Sequence, residues 1–259
     1  MEPGDITSYI DVAQVCVYLF IAFFIGLVLY LRREDKREGY PLLSDRSGHV
    51  RVQGFPDIPS PKRFVMPEGH TSYAPETVTE IPRTGLRPGG PWPGAPMVPT
   101  GNPLVDGVGP AAWANRVDEP EMTWEGEPAI QPLRVVDGTF VDPRDRNPIG
   151  MDVIAADGKR AGIVREIWTD RSEPQIRYLE VEVATPGGDT RHVLLPMGFA
   201  RIDARRGFVK VKALLASQFA DVPKLKSETT ITKLEEDKIT GYFAGGHLYA
   251  TPQRLGPVL

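Results

Sequence analysis

VAQVCVYLFIAFFIGLVLYL, residues 12–31, is the one unbroken apolar run in the chain, and its reading decides the architecture. Thirteen of its positions are Leu, Ile, Val or Phe, and Gln14 is the sole strongly polar side chain. A helix of about 20 residues, at roughly 1.5 Å per residue, covers the roughly 30 Å hydrocarbon core of a bilayer. A helix also satisfies every backbone N–H and C=O within one segment, as lipid requires. Each central Leu, Ile, Val or Phe favours insertion by roughly 0.3 to 0.6 kcal/mol, so together they favour it by several kcal/mol. The run bounded by Val12 and Leu31 is therefore read as a membrane anchor.

Its flanks predict an orientation. Upstream stand Glu2, Asp5 and Asp11 with no basic side chain, and downstream stand Arg32, Arg33, Lys36 and Arg37. Basic residues are retained on the cytoplasmic side, which puts residues 1–11 outside and the bulk of the chain inside. The competing reading is a cleaved signal peptide. That needs a basic start, a shorter apolar core and a small-residue cleavage site, whereas this chain starts acidic and continues as RREDKREGYP. The charges extend the helix to residue 38, and Gly39 and Pro41 are expected to stop it.

Composition narrows the function classes. The 259 residues carry a net charge of −4, so no polybasic field points to nucleic acid. The single cysteine, Cys16, sits inside the apolar run and reads as small apolar filler, which excludes an intrachain disulfide framework or a cysteine-based zinc site. His49, His70, His192 and His247 show no ligand spacing. The sequence has no GxSxG, HExxH, Walker A or GxGxxG signature, which argues against an independent enzyme.

Past the helix the chain changes character twice. Residues 39–110 form a Pro/Gly-rich segment, with 13 of the 26 prolines between Pro56 and Pro110. No period of 2 or 3.6 survives there, and the composition suits polyproline II and turns. A disordered linker is one reading. An extended arm lying on a partner surface is the other, favoured by the interspersed Phe55, Phe64, Met66, Trp92 and Met97. Residues 111–259 are expected to form the inner domain. Within it, Asp157-Gly158 predicts a type I′ hairpin, and residues 187–189 and 204–207 predict two further turns. IRYLEVEV (residues 176–183) alternates, which sends Leu179, Val181 and Val183 to a core and Tyr178, Glu180 and Glu182 outward. Val209 and Val211 point in, and Lys210 and Lys212 point out. Short strands with close turns indicate a small antiparallel barrel or sandwich. The last element is a helix over residues 232–250. Thr232 and Glu235 form a capping box, and Glu235, Glu236 and Asp237 suit its positive end. Ile239, Tyr242, Phe243 and Gly246 share its apolar face, and Gly245-Gly246 permits close backbone approach.

Several stretches, in order, resemble the H subunit of the purple-bacterial photosynthetic reaction centre. They are the anchor followed by REGYPL (37–42), NPLVDGVGPAAW (102–113), NPIGM (147–151), IRYLEVEV, and EEDKITGYFAGGHLYA (235–250). The strand-rich part is similar to the PRC-barrel module named after that subunit. The resemblance implies a fold of one transmembrane helix, a mainly-β cytoplasmic domain with a small antiparallel PRC-type barrel, and a C-terminal helix. It implies a single-pass protein of the bacterial inner (photosynthetic intracytoplasmic) membrane, with its N-terminus periplasmic. It implies a non-catalytic cap on the cytoplasmic face of the L and M subunits. Those partners carry the bacteriochlorophyll, bacteriopheophytin, quinones and non-haem iron, and this chain alone binds no cofactor. Lipids are implied contacts, and a cytochrome subunit and light-harvesting antenna polypeptides are further candidate neighbours. The alternative from another class is a membrane-tethered PRC-barrel adaptor that binds cytoplasmic proteins.

The resemblance also implies site residues. A quinone beneath a protein cap takes its protons through groups in hydrogen-bond reach or linked by water. In IWTDRSEPQIRYLEVEV (167–183) the match carries over to Asp170, Glu173 and Arg177. Glu173 is then the internal carboxylate coupled to the reduced secondary quinone, Asp170 sits nearer the surface, and Arg177 balances charge. Read without the resemblance, the same residues are a solvated loop with an ordinary ion pair. Many family members carry histidines at the proton-uptake surface, in the stretch matching residues 121–127. This chain instead has Glu125 and Glu127 there, with Glu121 nearby. Two readings stand: a carboxylate antenna whose members raise one another's pKa, or an acidic surface loop.

Overall fold

The computed structural model describes residues 5–7, 10–40, 42–43, 51–52, 54–66, 69, 71–74, 85–92 and 95–255. Glu2, Pro41, His49 and His70 lie outside the described residues. The chain divides into two compact units, one of Met1–Pro82 with Gly90–Pro96, the other of Arg83–Gly89 with Met97–Leu259.

In the first unit a short antiparallel pair, β1 (Asp5–Thr7) and β2 (Ile10–Asp11), precedes helix α1 (Val12–Glu34). Asp11 caps α1 by accepting a hydrogen bond from the Gln14 N–H at 2.7 Å, and the Gln14 side chain accepts from the Asp11 N–H at 3.3 Å. This explains the one polar residue of the apolar run, which belongs to a capping box at the helix start. No residue of α1 is buried within the chain, so its apolar surface faces outward all round. Arg32 and Arg33 fill the last turn, where a cation complements the helix dipole. A 3-10 turn, Asp35–Arg37, and Gly39 at φ +74° end the helix close to the expected point.

The other two flanking cations, Lys36 and Arg37, make structural contacts. The Lys36 ammonium is buried, donates to the Pro56 carbonyl, and lies 5.2 Å from the Tyr40 ring centroid. The Arg37 guanidinium donates to the carbonyls of Ser60 (2.8 Å) and Ala74 (2.7 Å) and pairs with Glu34 at 3.0 Å. These bonds fasten part of the Pro-rich segment to the end of α1. Beyond turns, that region contains short antiparallel pairs: β3 (Leu42–Leu43) with β4 (Arg51–Val52), and β5 (Lys62–Val65) with β6 (Thr71–Ala74). In the second unit, β7 (Leu86–Pro88) pairs with β8 (Met97–Pro99). Pairing this short escapes a search for periodicity, because each strand ends before an alternation is established.

The second unit then places a single helical turn, α2 (Pro103–Asp106), capped by the Asn102 side chain and closed by Gly107 at φ +63°. Its sheet is built from β9 (Ile130–Pro132), β10 (Asp152–Ile154), β11 (Arg160–Asp170), β12 (Gln175–Ala184), β13 (Thr190–Pro196), β14 (Ala200–Asp203) and β15 (Phe208–Val211). The order is β13-β12-β11-β10-β15-β14, with β9 also pairing β11. All pairings are antiparallel except β10 with β15, which is parallel. One edge of β10 is taken by β11, so the later β14–β15 hairpin docks on the other edge in parallel sense. The core contains Val153, Val164, Ile167, Leu179, Val181, Val183, Leu195, Val209 and Val211.

Two local expectations are corrected. The 155–159 hairpin is not type I′, because Asp157 does not take positive φ and only Gly158 does, at +75°. Gly158 N–H donates to Ala155 C=O, and Ala155 N–H to Lys159 C=O, which makes a three-residue loop with one left-handed glycine. The second correction concerns β12. Leu179, Val181 and Val183 do face the core, but Tyr178 and Glu180 on the opposite face are buried as well. Helix α3 (Lys233–Tyr249) and Arg134 reach over that face, so it does not meet solvent.

Helix α3 starts as its sequence indicates, with Thr232 accepting from the Glu235 N–H and Glu235 accepting from the Thr232 N–H. Ile239, Tyr242 and Phe243 are buried. The glycines allow the helix to lie against backbone. A Cβ on Gly245 would stand 2.4 Å from the Ala111 Cβ, and one on Gly246 would stand 2.6 Å from the Ala213 carbonyl oxygen.

Candidate functional site

Asp170 closes β11, and its short side chain folds back on the chain. Its Oδ1 accepts from the N–H groups of Ser172 (2.9 Å) and Glu173 (3.2 Å), which shapes the turn over residues 171–174. The return strand carries Arg177 at a register irregularity, opposite the step between Trp168 and Thr169. There the Arg177 guanidinium lies 3.9 Å from Asp170 Oδ2 and 3.9 Å from Glu236 Oε2. The Tyr178 hydroxyl donates to Glu236 at 3.0 Å. Asp170, Arg177, Tyr178 and Glu236 thus form one buried to half-buried network between the sheet and α3.

The depth order within this chain is the reverse of the expected one. Asp170 is buried, whereas Glu173 is exposed and, among the described residues, accepts only from the Gln175 side chain at 3.1 Å. An aspartate at a strand end is short enough to cap the following turn, which leaves the longer glutamate in that turn pointing out.

Residues 121–127 and 170–177, distant in sequence, lie side by side. β9 pairs β11 with Ile130 opposite Asp170, and the Arg171 N–H donates to the Ala129 carbonyl at 2.8 Å. The Arg171 guanidinium bridges the Glu127 carboxylate and the Gln131 side chain, the latter at 3.2 Å. Residues 123–126 make a tight turn, with Gly126 N–H donating to Thr123 C=O at 3.0 Å and Gly126 at φ +82°. Glu125 and the fully exposed Trp124 (99 %) stand at its tip. Glu125 and Glu127 are therefore both on the surface, and Arg171 connects Glu127 to the turn that carries Glu173.

Reading the sequence missed Arg171, Tyr178 and Glu236. Glu236 looks like a charge at a helix start, and only the packing of α3 on β12 reveals its burial. That burial pushes its carboxyl above the ordinary range. The Tyr178 hydroxyl and Arg177 pull it back, Glu121 adds to the rise, and Arg116 opposes it. Burial and the adjacent Glu236 carboxylate push the Tyr178 hydroxyl well up, so it stays a proton donor. A buried acid of raised pKa beside an arginine and a tyrosine can hold or release a proton closer to neutral pH than a free glutamate.

A second buried carboxylate sits farther along β12. Glu180 accepts from the Trp168 indole N–H at 2.8 Å and from Arg134 at 3.3 Å, and it touches His192 Nδ1. Burial pushes Glu180 up, but Trp168, His192 and Arg134 outweigh it and hold the carboxyl below its usual range. These residues line an open cleft of 810 Å³. Among the described residues no group of three or more His, Cys, Asp or Glu side chains is arranged to hold a metal ion.

Two family models match the chain. One, described as the photosynthetic reaction centre H-chain N-terminal region, matches residues 4–135 and so takes in α1 and the 121–127 turn. The other, the PRC-barrel domain, matches residues 143–216 and takes in β10 to β15.

Proposed function

The chain belongs to the H-chain family of photosynthetic reaction centres, and from that membership we propose that it caps the L and M subunits on the cytoplasmic side, stabilises their quinone sites and assists proton uptake to the secondary quinone. The pigments, quinones and non-haem iron belong to those partners, and the polypeptide itself catalyses no reaction. The family match across α1 carries the reading. An outward-facing apolar helix with Arg32, Arg33, Lys36 and Arg37 after it supports a single-pass anchor with its N-terminus outside. The exposed Phe55, Phe64, Met66, Trp92 and Met97 suit an arm that lies on a partner surface.

The proton route we propose runs from Glu125 and Glu127 at the surface turn, past Arg171, to the turn of Asp170 and Glu173. Arg171 and Arg177 hold these carboxylates in place without accepting protons themselves. Glu173 gains its seclusion from partner subunits that cover its turn. Asp170, Arg177 and Glu236 behind it form a polar reservoir in which charge shifts are shared.

Purification through a tag on this chain is expected to bring near-infrared pigment bands with it. A colourless preparation holding only cytoplasmic proteins would reassign the chain to the adaptor class. In the pigmented complex, Glu173→Gln is expected to slow the proton-coupled second reduction of the quinone while primary charge separation is unchanged. A positioned acid without a bypass is worth about 10²–10⁴-fold, and the parallel acids here reduce the expected loss to about tenfold. The double variant Glu125→Gln/Glu127→Gln is expected to slow the same step less. Wild-type flash kinetics in both variants from pH 6 to 9 would remove the proposed route.

A further inference from the structure

The outer face of the β14–β15 hairpin forms a concave surface of 620 Å³ in which cations gather without matching anions. Arg201 and Lys210 are directly paired across the two strands and so share a face, and Lys212 follows just beyond the end of β15. Arg205 and Arg206 stand on the turn between the strands. The Arg146 guanidinium adds to this end, 3.7 Å from where a Cβ on Gly207 would stand. His247 of α3, beside the Phe199 ring at 5.8 Å between centroids, closes the other side. The only carboxylate in the lining is Asp203, at 4.0 Å from Arg206.

Elsewhere in the same unit arginines face acids: Arg116 with Asp237, Arg160 with Asp152, Arg165 with Glu182 and Arg171 with Glu127. Arg201, Arg205, Lys210 and Lys212 have no ion pair among the described residues. In a chain of net charge −4, so many uncompensated cations in one concavity repel one another and need an external counter-charge. The concavity is of small-ligand size rather than a flat face. Guanidinium forks flanked by ammonium groups match tetrahedral oxyanions, and the Phe199 and Phe208 rings supply an apolar border.

We infer that this cleft binds a phosphate-bearing anion, either the headgroup of an anionic phospholipid or a soluble phosphate compound. The inference goes beyond the role in quinone protonation and does not rest on it.

The test titrates the detergent-solubilised full-length chain, in its complex, at physiological ionic strength with two probes: pyrophosphate and dioctanoyl-phosphatidylglycerol. At least one is expected to bind, and Arg201→Gln/Lys210→Gln is expected to weaken that binding by about tenfold or more. Both changed side chains are on a solvent-facing surface, so the fold survives. Binding of pyrophosphate alone identifies a soluble ligand, and binding of the lipid alone identifies a headgroup. The variant Arg165→Gln/Lys224→Gln removes the same net charge from the other cleft of the same unit, beside Glu180, and is expected to bind as wild type. The inference is overturned if neither probe binds, if the two double variants behave alike, or if the cleft variant only releases an acidic protein partner that the probes do not displace.

Discussion

Gly245→Val is expected to cost on the order of 3 kcal/mol and to lower the thermal midpoint of the second unit by about 6–12 °C. An added Cβ at Gly245 meets the Ala111 Cβ at 2.4 Å, its Cα at 2.8 Å and its N at 3.0 Å. Most of those neighbours are backbone and cannot rotate aside. One turn earlier, a Cβ on Gly241 would stand 2.9 Å from the carbonyl oxygens of both Ala111 and Ala112. Replacing a helical glycine by valine favours the helix by only about 0.3–0.5 kcal/mol by itself, so the expected net loss means that overpacking wins. Gly198, where a Cβ would meet nothing within 4 Å, supplies the control, and Gly198→Ala should melt with the wild type. Circular dichroism melts of the full chain in detergent give the comparison. A Gly245→Val midpoint equal to wild type would mean that α3 does not lie against the 109–112 segment as described.

The second large effect concerns Glu180. Glu180→Ala is expected to destabilise the domain by about 2–3 kcal/mol. The change leaves the fully buried Trp168 indole N–H without its acceptor and takes the carboxylate from Arg134. The figure is below the range for breaking a wholly buried pair, because the Arg134 side chain is 40 % exposed and water can take over part of its solvation. Glu180→Gln keeps an oxygen for Trp168 and should lose less than half as much. The pH dependence separates charge from packing. The folded-state carboxyl lies below its unfolded value, so its stabilisation is complete above the ordinary carboxylate range and is lost as pH falls through the folded value. Acid titration of stability should therefore be shallower in Glu180→Gln than in wild type. Parallel titration curves would mean that Glu180 is not held ionised by its partners.

These two residues also mark what a sequence can and cannot convey. The glycine approach of α3 was legible, because Gly245-Gly246 interrupts an otherwise apolar helical face and backbone contact is the common reason for that. The capping boxed start of the same helix was legible for the same kind of local reason. The burial of Tyr178 and Glu180 was not. Alternation along β12 states which side chains share a face, and it says nothing of whether a second layer covers the polar one. Arg134 and α3, respectively 46 and 55 or more residues away in sequence, supply that layer. The burial of Asp170 within this chain was hidden for a different reason. Asp170 and Glu173 are both acids in one turn, and which of them points inward depends on side-chain length and on the backbone N–H groups that Asp170 captures. The nearness of Glu127 to that turn was equally hidden, since it arises from a β9–β11 pairing between segments some forty residues apart.

Lys36 and Arg37 carry a last implication. A single-pass anchor followed by a loose leash can spin about its own axis without consequence for what hangs below it. Here the chain that doubles back is clipped at Pro56, Ser60 and Ala74 to the very end of α1. The swivel is gone, and the rings of Tyr18, Phe20, Phe23, Phe24 and Tyr30 are geared to β5 and β6 like the two ends of a key. Whatever grips those rings sets the bearing of the strands fastened to the other end.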